Sequence, residues 1–285
     1  MNEFLKDCYQ TIGWEKDSLD FSNLPEFLKA LAYRFPFENR AVLSKKEYDV
    51  TKEGLWRHMV KEPHGGLCYD LNGLLYFILK DAGFDVKLIR GTVWKNGWAL
   101  PGTHAAVLLS AGENEYIADA GFGLNLAMQP VPMSGDETVS AAGAFRVRIE
   151  ETEFGTYLLE MNKGDGWQTG YAFSLEEIDE KDLKSMKQTI FEHERSPFNK
   201  RLLASKRTPE GHMVLSERNI TIKKHDGTIL YEACRFSASF FEKKFVSRLS
   251  EVVFFKLFSI LNNISINVDV LSYTFDRKIE SVMNS

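Results

Sequence analysis

The stretch His64-Gly65-Gly66-Leu67-Cys68-Tyr69-Asp70-Leu71-Asn72 decides how this chain is read. Two adjacent glycines let the backbone turn sharply, and from Leu67 onward the apolar residues Leu71, Leu74, Leu75, Ile78, Leu79 and Ala82 recur at helical spacing. Gly83 follows where a C-terminal cap belongs. The pattern predicts a buried helix with a thiol in its first turn. Unpaired backbone N–H groups and the positive end of the helix dipole lie there, and both favour the nucleophilic thiolate. A small apolar core residue is the other reading of a cysteine in this place. The partners of Cys68 decide between them.

On its N-terminal side, residues 24–33 carry a helical pattern, with Pro36 and Pro63 as breaks, so the first third predicts a helical unit. Beyond Gly83 come short runs rich in strand formers: 86–93, 105–109, 116–119, 145–149 and 157–161, divided by glycine-containing turns. They predict an antiparallel sheet or small barrel, with a loop or linker at Pro130-Val131-Pro132-Met133-Ser134-Gly135. Ser174 with Glu177 three residues later reads as a capping box, and Ile178, Leu183 and Met186 give the segment that follows an apolar side. Residues 220–231 read as a hairpin turning at Asp226-Gly227, and 240–261 as a helix, so the last third is a smaller α/β unit.

Composition bounds the function. The 285 residues, 44% hydrophobic and 26% charged, suffice for a sizeable core in two or three compact units. With 35 basic against 40 acidic residues the net charge is −5, which gives no general attraction for nucleic acid or an anionic membrane. No signal-peptide pattern opens the sequence, and the longest apolar stretch, 252–264, is interrupted by Lys256 and two asparagines. Three scattered cysteines, Cys8, Cys68 and Cys234, form neither a disulfide framework nor a zinc ribbon. These features predict a cytoplasmic protein. His58, His193, His212 and His225 show no two-ligand spacing, so no metal is expected.

A nucleophilic cysteine needs a base, and the base an orienting group. His104 lies in Gly102-Thr103-His104-Ala105-Ala106-Val107, at the start of a strand, and the next strand ends in Asp119-Ala120-Gly121-Phe122-Gly123. A turn at Ala111-Gly112-Glu113-Asn114 sets an antiparallel register that brings Asp119 back towards His104. Taken singly, His104 also reads as a satisfied core histidine and Asp119 as a turn former. Together with Cys68, each at the end of an element, they read as a Cys-His-Asp site.

Three segments, His64 to Asn72, Gly102 to Leu109 and Ala118 to Gly123, resemble the signature blocks of the arylamine N-acetyltransferase family, in the same order and at matching intervals. Pro36-Phe37-Glu38-Asn39, Ser196-Pro197-Phe198 and Thr208-Pro209-Glu210-Gly211 resemble further blocks, so that the likeness spans roughly the first 230 residues. The resemblance implies an α+β fold with a helical bundle (1–84), a β-barrel (85–190) and an α/β lid (191–285) around a papain-like cysteine-enzyme core. It implies Cys68 as the acetyl-accepting nucleophile, His104 as its base and Asp119 as the residue that orients His104. The implied reaction is ping-pong transfer of acetyl from acetyl-CoA to an arylamine, arylhydrazine or arylhydroxylamine, with acetyl-CoA a cosubstrate and no tightly bound cofactor. Phe37, Phe122 and Phe198 are implied as acceptor-pocket residues, although with 21 phenylalanines in the chain core packing is an equal reading of each. Gly102, Thr103 and Thr208 are implied CoA contacts. The basic residues Lys200, Arg201, Lys206 and Arg207 suit either CoA phosphates or a solvated face.

Two positions depart from the family pattern. His64 stands where the family usually has an arginine that braces the helical unit, which predicts that His64→Arg raises the melting temperature and preserves activity. From about Glu251 the chain does not resemble the usual family ending. The same three site residues also suit a cysteine hydrolase or transglutaminase-like enzyme, and the divergent ending suits a non-enzymatic scaffold that retains the fold.

Overall fold

The computed structural model describes residues 1–62, 64–216 and 219–233. The helix expected over 240–261, Cys234 and the atypical ending lie outside the described residues. Helices α1 (Glu3–Ile12) and α2 (Leu24–Arg34) are followed by a two-residue strand β1 (Phe37–Glu38), the short helices α3 (Arg40–Ser44) and α4 (Lys52–Leu55), a π-helical turn (Trp56–Lys61) and helix α5 (Cys68–Asp81). Eight strands come next: β2 (Asp85–Val93), β3 (His104–Ala111), β4 (Asn114–Ala118), β5 (Val131–Pro132), β6 (Thr138–Ser140), β7 (Gly143–Thr152), β8 (Gly155–Asn162) and β9 (Trp167–Ile178). Helix α6 (Glu180–Glu192), a 3-10 turn (Pro197–Asn199) and the strands β10 (Leu203–Thr208), β11 (Gly211–Ser216), β12 (Asn219–Lys224) and β13 (Ile229–Ala233) complete the described chain. The fold is α+β.

Helix α5 is the spine of the molecule. Every residue from Cys68 to Leu79 is buried, which is what an all-round apolar helix requires. It packs on β2 and β3 on one side and on α1, α4 and α6 on the others. Truncating a fully packed leucine there, such as Leu75, to alanine is expected to cost about 2–5 kcal/mol. At its end Gly83 adopts φ 95°, the left-handed conformation of a helix stop.

The eight strands pair antiparallel in the order β5-β4-β3-β2-β9-β8-β7-β6. Register shifts in the β2–β9, β8–β9 and β7–β8 pairs bend the sheet, and β5 comes back into contact with β7, nearly closing a barrel. Phe145, Tyr171, Phe173 and Leu159 fill its interior. The expected capping box at Ser174 is not formed. Residues 174–178 continue β9, with Glu177 paired to Ile89 and Ile178 to Leu88, and α6 is capped by Asp179, whose side chain accepts from the N–H of Lys181 and Asp182. Ser174 and Glu177 have the right spacing, but the backbone there is extended in β9, where Glu177 pairs with Ile89 of β2.

The first third is not wholly helical. Pro36 holds Phe35 in extended backbone at φ −103°, ψ 122°, and the extended chain finds partners in two places. Phe37 and Glu38 pair with Ser205 and Ala204 of β10, extending the sheet β1-β10-β11-β12-β13, while Phe37 also bridges Gly66. Asn39 locks the junction: its Nδ2 donates to the carbonyls of Phe198 and Arg201, 2.7 Å each, and its Oδ1 accepts from Leu203 N–H at 2.9 Å. The segment 36–39 therefore ties the cysteine loop to the strand that forms the far wall of the site.

Candidate active site

The two glycines before Cys68 are there for close approach. A Cβ on Gly65 would lie 2.2 Å from the Pro36 carbonyl oxygen, and one on Gly66 would lie 2.5 Å from Asp70 Cβ. Asp70 closes the start of α5, its Oδ2 accepting from Leu67 N–H at 3.0 Å and its Oδ1 from the Tyr48 hydroxyl at 2.9 Å. Burial pushes the Asp70 carboxyl up to about 7 despite those two donors. Cys68 thus emerges on the first turn of the helix, 6% exposed, with its Sγ 3.2 Å from the Thr103 carbonyl.

His104 and Asp119 come from the ends of adjacent strands, as the hairpin reading requires. Val107 faces Ala118 in the β3–β4 register, so Asp119 lies just past the last pair and its carboxylate reaches back to the ring. His104 Nε2 and Asp119 Oδ2 are 2.8 Å apart and both side chains are buried. Desolvation alone would lower the imidazole's pKa, but the charge and hydrogen bond of Asp119, then those of Cys68, raise it above its ordinary value. Burial pushes Asp119 the other way, and His104, Asn72 and the Gly121 N–H together hold it below the usual carboxylate range. Nε2 being taken by Asp119, Nδ1 is the ring nitrogen left to exchange a proton with Cys68.

Asn72, one helical turn after Cys68, joins the three elements. Its Nδ2 donates to Asp119 Oδ1 at 2.8 Å and to the Ala105 carbonyl at 2.6 Å, and its Oδ1 accepts from Ala120 N–H at 2.8 Å. No motif assigns Asn72 a role; its i+4 spacing from Cys68 is the signal that it shares the thiol's face of α5. Gly121 completes the fit, since a Cβ there would sit 2.6 Å from Cys68 Cα. Tyr171 of β9, with its ring centroid 4.5 Å from that of His104, is a neighbour that no motif signalled.

Cys68 and His104 open onto a cavity of about 520 Å³. Phe37, Phe122 and Phe198 all line it, with Phe37 and Phe198 edge to face at 5.8 Å and Phe122 5.5 Å from His104. Thr103 lines it too. Gly102 is one step behind the wall, with φ 64° and its N–H on Thr92 Oγ1, and Thr208 lies at the end of β10 outside the lining. Among the described residues, the charged side chains on the wall besides His104 are the cations Lys95 and Arg195, and Ser196 Oγ is buried there without a hydrogen-bond partner.

Arg40 braces Glu38 at 3.1 Å, and His64 lies between Arg40 (3.2 Å to Nδ1) and Lys46 (3.0 Å to Nε2), with Glu62 Oε2 3.6 Å from Nε2. Its ring stacks on His58, which stacks in turn on Tyr48. His58, Glu62 and His64 also bring possible metal-ligand atoms within 4.8 Å of one another. The two rings stack 21° from parallel, Lys46 holds Glu62 and approaches His64, and neither ring nitrogen of buried His58 has a hydrogen-bond partner among the described residues. Cys8, buried in the helical core with its thiol pKa pushed up by burial, is a packing residue.

Residues 20–249 match the family model described as N-acetyltransferase. The chain belongs to the arylamine N-acetyltransferase family. It is 63% identical over 232 residues to an uncharacterized acetyltransferase of Bacillus subtilis, covering 80% of this chain and 91% of that protein. The crystal structure of an arylamine N-acetyltransferase from Bacillus cereus, described as having a unique Cys-His-Glu catalytic triad, superposes with a TM-score of 0.80 at 38% identity over 87% of this chain and 98% of the other. Here an aspartate, Asp119, stands beside the histidine. A Mycobacterium marinum arylamine N-acetyltransferase solved in complex with CoA shares the fold, with a TM-score of 0.74 at 22% identity over 87% and 94% of the two chains.

Proposed function

We propose that this protein transfers an acetyl group from acetyl-CoA to aromatic amines, arylhydrazines or arylhydroxylamines by a ping-pong route through acetyl-Cys68. The observation that carries the reading is His104 held by Asp119 on the wall of an aromatic cavity that also exposes Cys68 at a helix start. The thiolate of Cys68 attacks the thioester carbonyl, the bond from that carbon to the CoA sulfur breaks, and protonated His104 gives its proton to the departing CoA thiolate. The amine nitrogen then attacks acetyl-Cys68; its bond to carbon forms as the S–C bond breaks, and the nitrogen's proton passes to His104, restoring the ion pair. Asp119 fixes the ring and balances its charge in both half-reactions.

Family membership and the CoA-bound mycobacterial relative support acetyl-CoA as donor. The aromatic wall formed by Phe37, Phe122 and Phe198 supports a flat acceptor. The division into a helical bundle, a barrel and a lid at 84/85 and 190/191, a cytoplasmic setting, and the absence of a resident cofactor belong to the same reading. Initial rates measured over a grid of acetyl-CoA and arylamine concentrations test it: a ping-pong enzyme gives parallel double-reciprocal lines. Intersecting lines, which mean direct transfer in a ternary complex, overturn the route.

A further inference from the structure

His58, Glu62 and His64 meet just ahead of the loop that carries Cys68. His58 lies in the π-helical turn and Glu62 directly follows it, a spacing that puts both on one side. The chain then folds back, the His64 N–H donating to the Glu62 carbonyl at 2.5 Å, which brings His64 Nε2 to 3.6 Å from Glu62 Oε2. Ligands bound at about 2.0–2.1 Å to a tetrahedral ion lie about 3.4 Å from one another, so this pair stands close to ligand spacing. A cation already sits between the two atoms: Lys46 Nζ is 2.7 Å from Glu62 Oε2 and 3.0 Å from His64 Nε2, on a side chain that is partly exposed.

His58 supplies a third donor and an independent sign of a ligand. It is 3% exposed, and neither of its ring nitrogens has a hydrogen-bond partner among the described residues, a costly state for a buried imidazole. Its ligand atom lies within 4.8 Å of those of Glu62 and His64. Burial first, then His64, Lys46, Lys187 and Arg40, keep His58 neutral, the form that binds metals. Of those cations, Arg40 is paired with Glu38 at 3.1 Å and Lys187 feels the charge of Asp70. Spacing among His58, His193, His212 and His225 hid this group, because its other members are Glu62 and His64.

We propose that His58, Glu62 and His64 bind one divalent transition-metal ion of the zinc type, with Lys46 displaced to solvent and water as the fourth ligand. Two imidazole nitrogens and one carboxylate form a zinc-type donor set, too poor in oxygen for calcium or magnesium. On binding, the two rings leave their stack and turn edge-on to the ion, a movement of about 1 Å at the ligand nitrogens. The remaining proton of His64 then sits on Nδ1, and Arg40 keeps Glu38 as its acceptor. The ion ties the π-helical turn to the start of the glycine loop, four residues before Cys68.

The test titrates the full chain, stripped of metal with a chelator, with Co²⁺, and then with Zn²⁺ in competition with a chromophoric chelator. One equivalent of Co²⁺ is expected to give the visible d–d absorption of a nitrogen- and oxygen-ligated ion without sulfur-to-cobalt charge transfer, equally in wild type and Cys68→Ala. Zn²⁺ should raise the melting temperature of both as its concentration exceeds Kd. Glu62→Gln, at an exposed position, should weaken Zn²⁺ binding about 100-fold, since loss of an outer-shell partner alone costs about 10–100-fold. His58→Phe should weaken it likewise, with circular dichroism to separate lost ligation from lost fold. Lys46→Ala should tighten it about 5-fold, because the ion no longer displaces a paired ammonium. A cobalt spectrum with charge transfer that vanishes in Cys68→Ala puts the ion on the thiol and overturns the proposal. So does the lack of stoichiometric binding, an affinity unchanged in Glu62→Gln or in folded His58→Phe, or one that does not tighten in Lys46→Ala.

Discussion

Replacing Asn72 with alanine isolates the part of the site that the catalytic-type side chains do not supply themselves. In the folded protein this fully buried amide makes three hydrogen bonds, to Asp119 Oδ1, the Ala105 carbonyl and the Ala120 N–H. Truncation leaves the Ala120 N–H buried without a partner, a loss of about 1–3 kcal/mol, and removes a bond to a charged carboxylate of similar size. The Ala105 carbonyl loses less, because its strand pairs with β2 at Arg90. We expect a total destabilisation of about 3–5 kcal/mol, read by urea unfolding with linear extrapolation. The chemistry shifts as well. Asn72 is one of the groups that hold Asp119 below the ordinary carboxylate range, so in Asn72→Ala the carboxyl takes up its proton at a higher pH. The acid limb of the pH profile for Cys68 acetylation should then move to higher pH, while a merely structural role for Asn72 would leave the limb in place. A variant within about 1 kcal/mol of the wild type, with an unmoved acid limb, refutes the reasoning.

Gly121→Ala is expected to lower acetylation by about 100-fold, with the circular dichroism spectrum retained, because the new methyl would meet Cys68 Cα and carbonyl oxygen at 2.6 and 3.0 Å; activity within a few-fold of the wild type would contradict this. Asp70 has a folded pKa raised from 3.8 to about 7, so its contribution to stability is complete below about pH 4 and is lost as the pH rises towards 7. Asp70→Asn should flatten that part of the stability profile, and parallel profiles for the two proteins would show that Asp70 ionises normally. His64→Arg places a guanidinium beside Glu62, which lies 3.6 Å from the imidazole, as well as beside Arg40 and Lys46, and thermal unfolding should show a higher melting temperature with acetylation little changed; a less stable or inactive variant would contradict this.

The cysteine helix, the hairpin that brings Asp119 to His104 and the turn at Asp226-Gly227 were legible because each depends on local periodicity or turn chemistry. Lys224 N–H closes that last turn on the Thr228 carbonyl at 2.8 Å. What could not be read locally depends on distant partners. Phe37 and Glu38 become a strand only because β10, more than 160 residues later, offers an edge, and Ser174 with Glu177 lose their cap to the edge of β2. Arg40 reaches Glu38 from two positions away, a contact that no spacing rule singles out. Arg207, His212 and Lys223 likewise stand side by side only through the β10–β11–β12 register, which the sequence alone leaves unspecified.

The central claim is that Cys68 carries the acetyl group between donor and acceptor. Intact mass spectrometry after mixing the protein with acetyl-CoA and no amine tests it most directly. The mechanism predicts one acetyl adduct, mapped to Cys68, absent in Cys68→Ala and discharged on adding an arylamine. A wild-type mass that does not change with acetyl-CoA, or an adduct that persists in Cys68→Ala, contradicts it.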